Sequence, residues 1–282
     1  MSILCLYMEI QKIAVKEQIV KTVVKSGNGG AVWVPKDWLG KEVVVILPEK
    51  PKLELKEKII HLLKPYLRDI ISVSIYGSYA RNEQTKDSDA DVLVITKDKN
   101  LSLSFKEEKL DIASFPIEKF RKAIEKYPTV YYQIAQEAEP LINGYILEEF
   151  KNMKIGKENF KEYLKETKEH IKSSKELVEL DKIDGTYLKS YSVLYSSMLR
   201  LRGLFIMKCI LKSEKFSNNK FKKWLMGGGL NSKEFEDSYS AYRMVRDNEN
   251  AKKIKIRITA AEKVLSVLGN ELRLSEEQIY GQ

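Results

Sequence analysis

The chain has 282 residues, 43% hydrophobic and 32% charged, enough for two or three domains with their own cores, and no apolar run approaches the roughly 18 residues of a membrane span. Its two cysteines, Cys5 and Cys209, lie far apart with no Cys or His at ligand spacing, so neither a disulfide framework nor a zinc site is expected, and buried thiols are. The net charge of +9 is uneven: residues 1–150 carry 22 Lys and Arg against 22 Asp and Glu, and residues 151–282 carry 27 against 18.

That asymmetry sets a boundary near residue 150. A basic carboxy-terminal part attracts nucleic acid, an acidic partner or a triphosphate, unless its lysines only solvate helix faces. The opening "MSILCLYMEI" has no basic n-region and no small-residue cleavage site, so it is not read as a signal peptide, and a cytoplasmic protein is expected. Met8 is an alternative start.

Residues 18–48, "QIVKTVVKSGNGGAVWVPKDWLGKEVVVILP", alternate β-branched and polar residues around the turns "SGNGG" and "PKDWLGK", which predicts three or four short strands. The order of a Gly-containing turn, an apolar strand, Pro-Lys, a Gly and a final apolar strand resembles the swapped-hairpin (AbrB-like) DNA-binding regulators. That resemblance implies a homodimer of interleaved chains and a DNA contact through residues 18–48. The other reading is a small β-rich cap, residues 1–50, on the next domain.

From residue 53, "LELKEKIIHLLKPYLRD" places Ile59, Ile60, Leu63 and Leu67 on one helical face, with His61 as a surface or packing residue. Then come a strand ("ISVSIY"), a Gly-Ser turn, a polar loop, a second strand ("ADVLVI"), another loop and a third strand ("KLDIASF"). A helix opened by Pro116, then a helix and short strand within "YYQIAQEAEPLING", complete a mixed-sheet α/β domain over 51–152. After residue 155 strand signals cease, and helices are predicted at about 157–180, 184–212, 218–226, 231–248 and 252–272, a helical bundle over 153–282. The whole chain is therefore expected to be α+β.

The chemistry concentrates in the central domain. Residues i and i+2 of a strand share a face, so Asp89 and Asp91 point the same way at the edge of an apolar strand, where ionised carboxylates are costly without a cation. Two such oxygen donors invite a divalent ion, Mg²⁺ being the best suited. Asp111, in the middle of the apolar "KLDIASF", is a third acid out of place, and it joins the first two if the strands pair side by side. Three convergent carboxylates can hold two ions about 3.5 to 4 Å apart. Gly77 permits a tight turn and close phosphate approach, and the Ser78 hydroxyl with nearby amides can donate to phosphate oxygens.

As a combined pattern, "GSYARNEQTKDSDADVLV" resembles the polymerase-beta-like nucleotidyltransferase superfamily, and within it the minimal nucleotidyltransferases, where Ala-Arg commonly follows Gly-Ser-x as Ala80 and Arg81 do here. The resemblance covers about residues 55–145. It implies transfer of a nucleoside monophosphate from an NTP, ATP by preference, to an acceptor hydroxyl with release of pyrophosphate. It also implies two Mg²⁺ ions, replaceable by Mn²⁺, on Asp89, Asp91 and Asp111, with triphosphate contacts from Gly77, Ser78 and Arg81. Asn82 stands where many relatives have Gly, and Asn tolerates a positive φ better than most residues.

Residues 155–272 resemble the HEPN-like and kanamycin-nucleotidyltransferase-type helical bundles that accompany such domains, through "YLKSYSVLYSSMLRLRGLFIMKCIL" and "YSAYRMVRDNEN". No His follows Arg246, which argues against ribonuclease activity. Tyr187, Tyr191 and Tyr195 recur every four residues and are read as one helical stripe, either core or an acceptor platform. The acceptor is a small molecule, a protein hydroxyl or an RNA end. The alternative function is a DNA-binding, antitoxin-type regulator that senses nucleotide.

Overall fold

The computed structural model describes residues 17, 19, 21–45, 54–85, 88–101, 109–246 and 255–281. Cys5 and the alternative start Met8 lie outside them. The chain divides into two compact units, Met1–Lys52 and Leu53–Gln282.

In the first unit, β1 (Val24–Ser26) and β2 (Gly29–Ala31) form an antiparallel hairpin turned at Gly27, whose φ of 57° belongs to the left-handed region that glycine enters freely. The expected third and fourth strands do not form among the described residues. Pro35 begins a single 3₁₀ turn over Lys36–Trp38, and residues 41–45 pair with nothing as a strand. Their apolar side chains, Val43, Val44 and Val45, are exposed, as is Trp33. A β pattern needs a pairing partner to become a sheet, and a unit this short supplies too few strands to bury them.

The second unit opens with α1 (Leu55–Leu63), followed by a 3₁₀ turn over Lys64–Tyr66. Pro65 lacks an amide and its ring clashes with the carbonyl four residues back, so the predicted longer helix stops there. Ile59 and Leu63, four apart, are fully buried, whereas Ile60 and Leu67 are 41% and 45% exposed and do not share that face.

Four strands follow, β3 (Ile70–Tyr76), β4 (Ala90–Thr96), β5 (Leu110–Pro116) and β6 (Glu139–Ile142), in spatial order β5-β4-β3-β6. β3 pairs antiparallel with both β4 and β6, and β4 pairs parallel with β5, so the sheet is mixed as expected. The two-residue period of β4 sorts its side chains cleanly. Val92 and Val94 join Ile59, Leu63, Val73 and Ile75 on the α1 face. Leu93 and Ile95 join Phe120, Ile124, Leu147 and Phe150 on the other, under α3 (Ile117–Lys126), α4 (Tyr131–Glu137) and α5 (Gly144–Lys151). A strand buried on both faces reads as a continuous apolar run, which "VLVI" is.

Beyond a 3₁₀ turn at Lys157–Phe160, the chain becomes helical: α6 (Lys161–Asp184), α7 (Ser192–Leu211), α8 (Asn218–Gly227), α9 (Ser232–Arg246) and α10 (Ile258–Tyr280). α7 is buried on several sides, and its Leu194, Leu201 and Leu204 pack with Leu164 of α6 and Leu268 of α10 in a core separate from those of the sheet. The single helix predicted over 184–212 instead begins at Ser192. Between α6 and α7 the chain is extended: Leu188 donates its amide to the Ile256 carbonyl, and Ile258 donates to that of Thr186, at 3.0 Å each. Tyr187 therefore leaves the stripe, whereas Tyr191, at the start of α7, and Tyr195 lie one turn apart and both pack against the helical core, Tyr195 also stacking on Tyr242 of α9 at 5.5 Å. Among the described residues no helix is long and apolar enough to cross a membrane.

The α1 anchor gives a direct test. Ile59→Ala leaves a void in a sealed core and should cost about 2 to 5 kcal/mol, whereas Ile60→Ala, next to it but partly exposed, should cost under about 1 kcal/mol. Urea unfolding of both variants measures the difference, and equal losses would contradict the burial pattern.

Candidate active site

β3 ends at Tyr76 and the chain turns at once into a one-turn helix, α2 (Gly77–Ala80). Gly77 has φ +73°, and a Cβ there would sit 2.0 Å from an Asp91 carboxylate oxygen. Two independent constraints, a left-handed backbone and the carboxylate occupying the side-chain position, thus demand glycine. The turn ends in Asn82 at φ 54°, the positive angle that its amide side chain makes tolerable.

The parallel register of β4 and β5 sets Asp91 directly beside Asp111, and the antiparallel register of β3 and β4 sets Tyr76 on Asp91's other side. Paired residues of neighbouring strands face the same way, so both carboxylates point to the α3–α5 side at one end of the sheet. Asp89 immediately precedes β4. It is exposed, as is Asp111, whereas Asp91 is largely enclosed. Burial, and then the charges of Asp111 and Glu137, push the Asp91 carboxyl up to about 6, against a smaller opposing pull from Arg81. The Tyr76 phenol is pushed up as well, by burial first and then by Asp91, so it stays protonated. Among the described residues no group of three or more His, Cys, Asp or Glu side chains is drawn together closely enough to hold a metal ion.

Glu137, at the end of α4, is a fourth acid that the sequence reading missed. One of its oxygens accepts the Gly77 amide at 3.0 Å. The other accepts from Arg81 Nη1 at 2.6 Å and from Gln133 Nε2 at 3.0 Å. The Gly77 amide, expected to be available to a phosphate, is thus already engaged by a carboxylate. Arg81 is engaged twice, since its Nε also donates to Glu83 at 2.9 Å. Glu83 in turn accepts the backbone amide of Asn218, at 3.1 Å, and its side-chain amide, at 2.7 Å, tying the turn to the start of α8. The signal for Glu137 was weak, because nothing in "QIAQEAEP" distinguishes a site acid from a solvated helix residue. Only the packing of α4 on the sheet brings it to Gly77.

The close approach at Gly77 can be checked by substitution. Gly77→Ala must both hold an L-residue at positive φ and displace Asp91, and should cost at least about 2 kcal/mol. Gly269→Ala, within α10 where an added Cβ meets nothing within 4 Å, should be neutral or stabilising by up to about 1 kcal/mol. Chemical denaturation of the pair reads this contrast, and a Gly77→Ala variant as stable as the native chain would refute the approach.

Residues 57–144 match the family model described as polymerase beta nucleotidyltransferase. No curated protein matches the chain. Among solved structures, it is similar to a spectinomycin adenyltransferase, AAD(9) of Enterococcus faecialis, solved with ATP and spectinomycin. The identity is 12% and the TM-score 0.43, over 77% of this chain and 97% of that one. It is also similar to a nucleotidyltransferase-like protein of Exiguobacterium sibiricum, at 11% identity and a TM-score of 0.35, over 80% of this chain and 78% of that one. The stretch that contains Gly77, the three aspartates and Glu137 lies within this match, and residues 57–144 form a nucleotidyltransferase domain of the polymerase beta type.

Proposed function

We propose that the protein moves a nucleoside monophosphate from an NTP, ATP in the first instance, to an acceptor hydroxyl, and that Asp89, Asp91 and Asp111 are its catalytic acids. The observation that carries this reading is the register that sets Asp91 beside Asp111 at the sheet end next to Gly77. The donor set, carboxylate oxygens ranged along one sheet edge, suits Mg²⁺ or Mn²⁺, and the Asp91 carboxyl, raised by burial and then by the neighbouring acids, carries a charge that a cation would relieve. When bound, two such ions supply charge neutralisation at the attacking and leaving oxygens.

The chain's own residues do the rest by positioning. Gly77 has no side chain to obstruct a phosphate, and the Ser78 hydroxyl donates to a phosphate oxygen. The Glu137 and Glu83 carboxylates hold Arg81, and with it the turn, in one geometry. Arg81 then acts on phosphate charge at longer range, since both of its carboxylate partners remain bonded to it. The acceptor oxygen bonds to the α-phosphorus as the bond from that phosphorus to the bridging oxygen breaks, and pyrophosphate leaves. The proton of the acceptor hydroxyl passes to Asp111, which is exposed at the site's edge. Residues 153–282, which reach the turn through Asn218, form the wall on which the acceptor is received.

Incubation with Mg²⁺ and each α-labelled NTP, alone and with cell extract, should release pyrophosphate and label one acceptor. Asp91→Asn combined with Asp89→Asn should reduce that release at least about a hundredfold. Absence of pyrophosphate with every NTP, or full activity of the double variant, would defeat this reading.

The same cluster predicts a pH dependence. With its carboxyl raised from 3.8 to about 6, Asp91 in the folded protein releases its proton later than in the unfolded chain. It therefore destabilises the metal-free fold progressively as pH rises through that window, with the full cost present above about 6. A divalent ion competes with that proton, so Mn²⁺ affinity measured by calorimetry should fall about tenfold between pH 7.5 and pH 5. A flat profile would show that Asp91 is not a ligand.

A further inference from the structure

The guanidinium of Arg202, on α7, lies over the ring of Phe216 at 4.5 Å and donates through Nη1 to the side-chain oxygen of Asn218 at 3.1 Å. A guanidinium has five N–H donors, and among the described residues no carboxylate pairs with this one. The group is largely enclosed, and burial, its first cause, holds its pKa below the usual arginine value. Enclosing an unpaired cation is costly, and such a group is normally matched by an anion.

The nearby acids bond to other partners. Arg81 shares the Phe216 ring, at 5.7 Å, and it takes both carboxylates. The two oxygens of Glu137 accept from Gly77, Arg81 and Gln133, and the two of Glu83 accept from Arg81 and twice from Asn218. Each of these two carboxylates accepts three hydrogen bonds, and none comes from Arg202. Arg81 and Arg202 also oppose one another electrostatically. The result is a second guanidinium beside the catalytic turn, with free donors and no acid of its own.

We infer that Arg202 binds the terminal phosphates of the NTP, and the pyrophosphate that leaves, as a clamp contributed by the helical bundle. A planar guanidinium matches a phosphate through two parallel hydrogen bonds, and the Phe216 face and Asn218 hold this one in orientation before any ligand arrives. The inference rests on the proposed nucleotidyl transfer for the identity of the anion.

The test is calorimetric binding of ATP, inorganic triphosphate and AMP, each with Ca²⁺ in place of Mg²⁺. Arg202→Met should weaken ATP and triphosphate at least about tenfold while leaving AMP within about twofold. Because it removes an unpaired enclosed cation, it should also hold or raise Tm. Arg202→Lys should recover part of the lost affinity. Equal losses for AMP and ATP, unchanged ATP affinity, or a fall in Tm without selective loss of triphosphate would overturn the assignment. A native chain that binds triphosphate through Arg202 yet releases no pyrophosphate with any acceptor would refute the transfer reading and leave the clamp standing.

Discussion

The Asp91 carboxylate occupies the space where residue 77 would carry a side chain. That contact makes the end of β3, the start of β4 and the turn between strand and helix a single object, since none can shift without the others. Glu137 closes the same turn from the opposite element by accepting the Gly77 amide. Two acids press on one stretch of backbone, and the cation bonded within the cluster, Arg81, is bonded to only one of them. The electrostatic state of the site follows. Asp91 carries the part of the charge that the protein itself leaves uncompensated, and Tyr76 beside it cannot ionise.

The sheet and the helical bundle have separate apolar cores. Besides the Arg81 guanidinium over the Phe216 ring, the links from the Gly77 turn to the bundle are polar: Gly77 to Glu137, Glu137 to Arg81, Arg81 to Glu83, and Glu83 to Asn218 at the start of α8. Largely enclosed ion pairs of this kind add little net stability, because desolvation offsets their attraction, but they admit few geometries. Such a chain suits a site whose chemistry is positioning. A displacement of α8 therefore has a direct route to the backbone of Gly77.

Much of this was legible in the sequence, and the reasons are local. The period of two in "DADVLVI" placed Asp89 and Asp91 on one face, and the condition on which Asp111 joins them, a strand paired beside β4, is met by the parallel register. Asn82 takes the positive φ that Asn tolerates better than most residues. What escaped depended on contacts distant in sequence. Glu137 reaches the turn only because α4 packs on the sheet, 60 residues along the chain. The tyrosines at 187, 191 and 195 keep a helical period, but pairing of 186–188 with 256–258 captures the first part of that stretch as extended chain. Residues 41–45 have strand composition without a neighbouring strand among the described residues, and β propensity measures how well a side chain fits a sheet that already exists.

The position of the acids within their strands is itself dictated by burial. From Val92 to Thr96, β4 is sealed on both faces, and an ionised group anywhere in that run would lack both water and a partner. The strand's first residues are the only ones where a carboxylate can touch solvent while its backbone is still held by the ladder. Asp91 stands at that limit, largely enclosed, with Asp89 one step outside it and Asp111 exposed across the ladder. Burial, and then the neighbouring acids, make the charge of the enclosed one costly, and a cation beside it would relieve that cost. A rigid strand end thus provides two things at once, carboxylates fixed by backbone pairing and a gradient of burial across them. Moving the cluster one residue inward would abolish access to solvent, and moving it one residue outward would release it from the sheet.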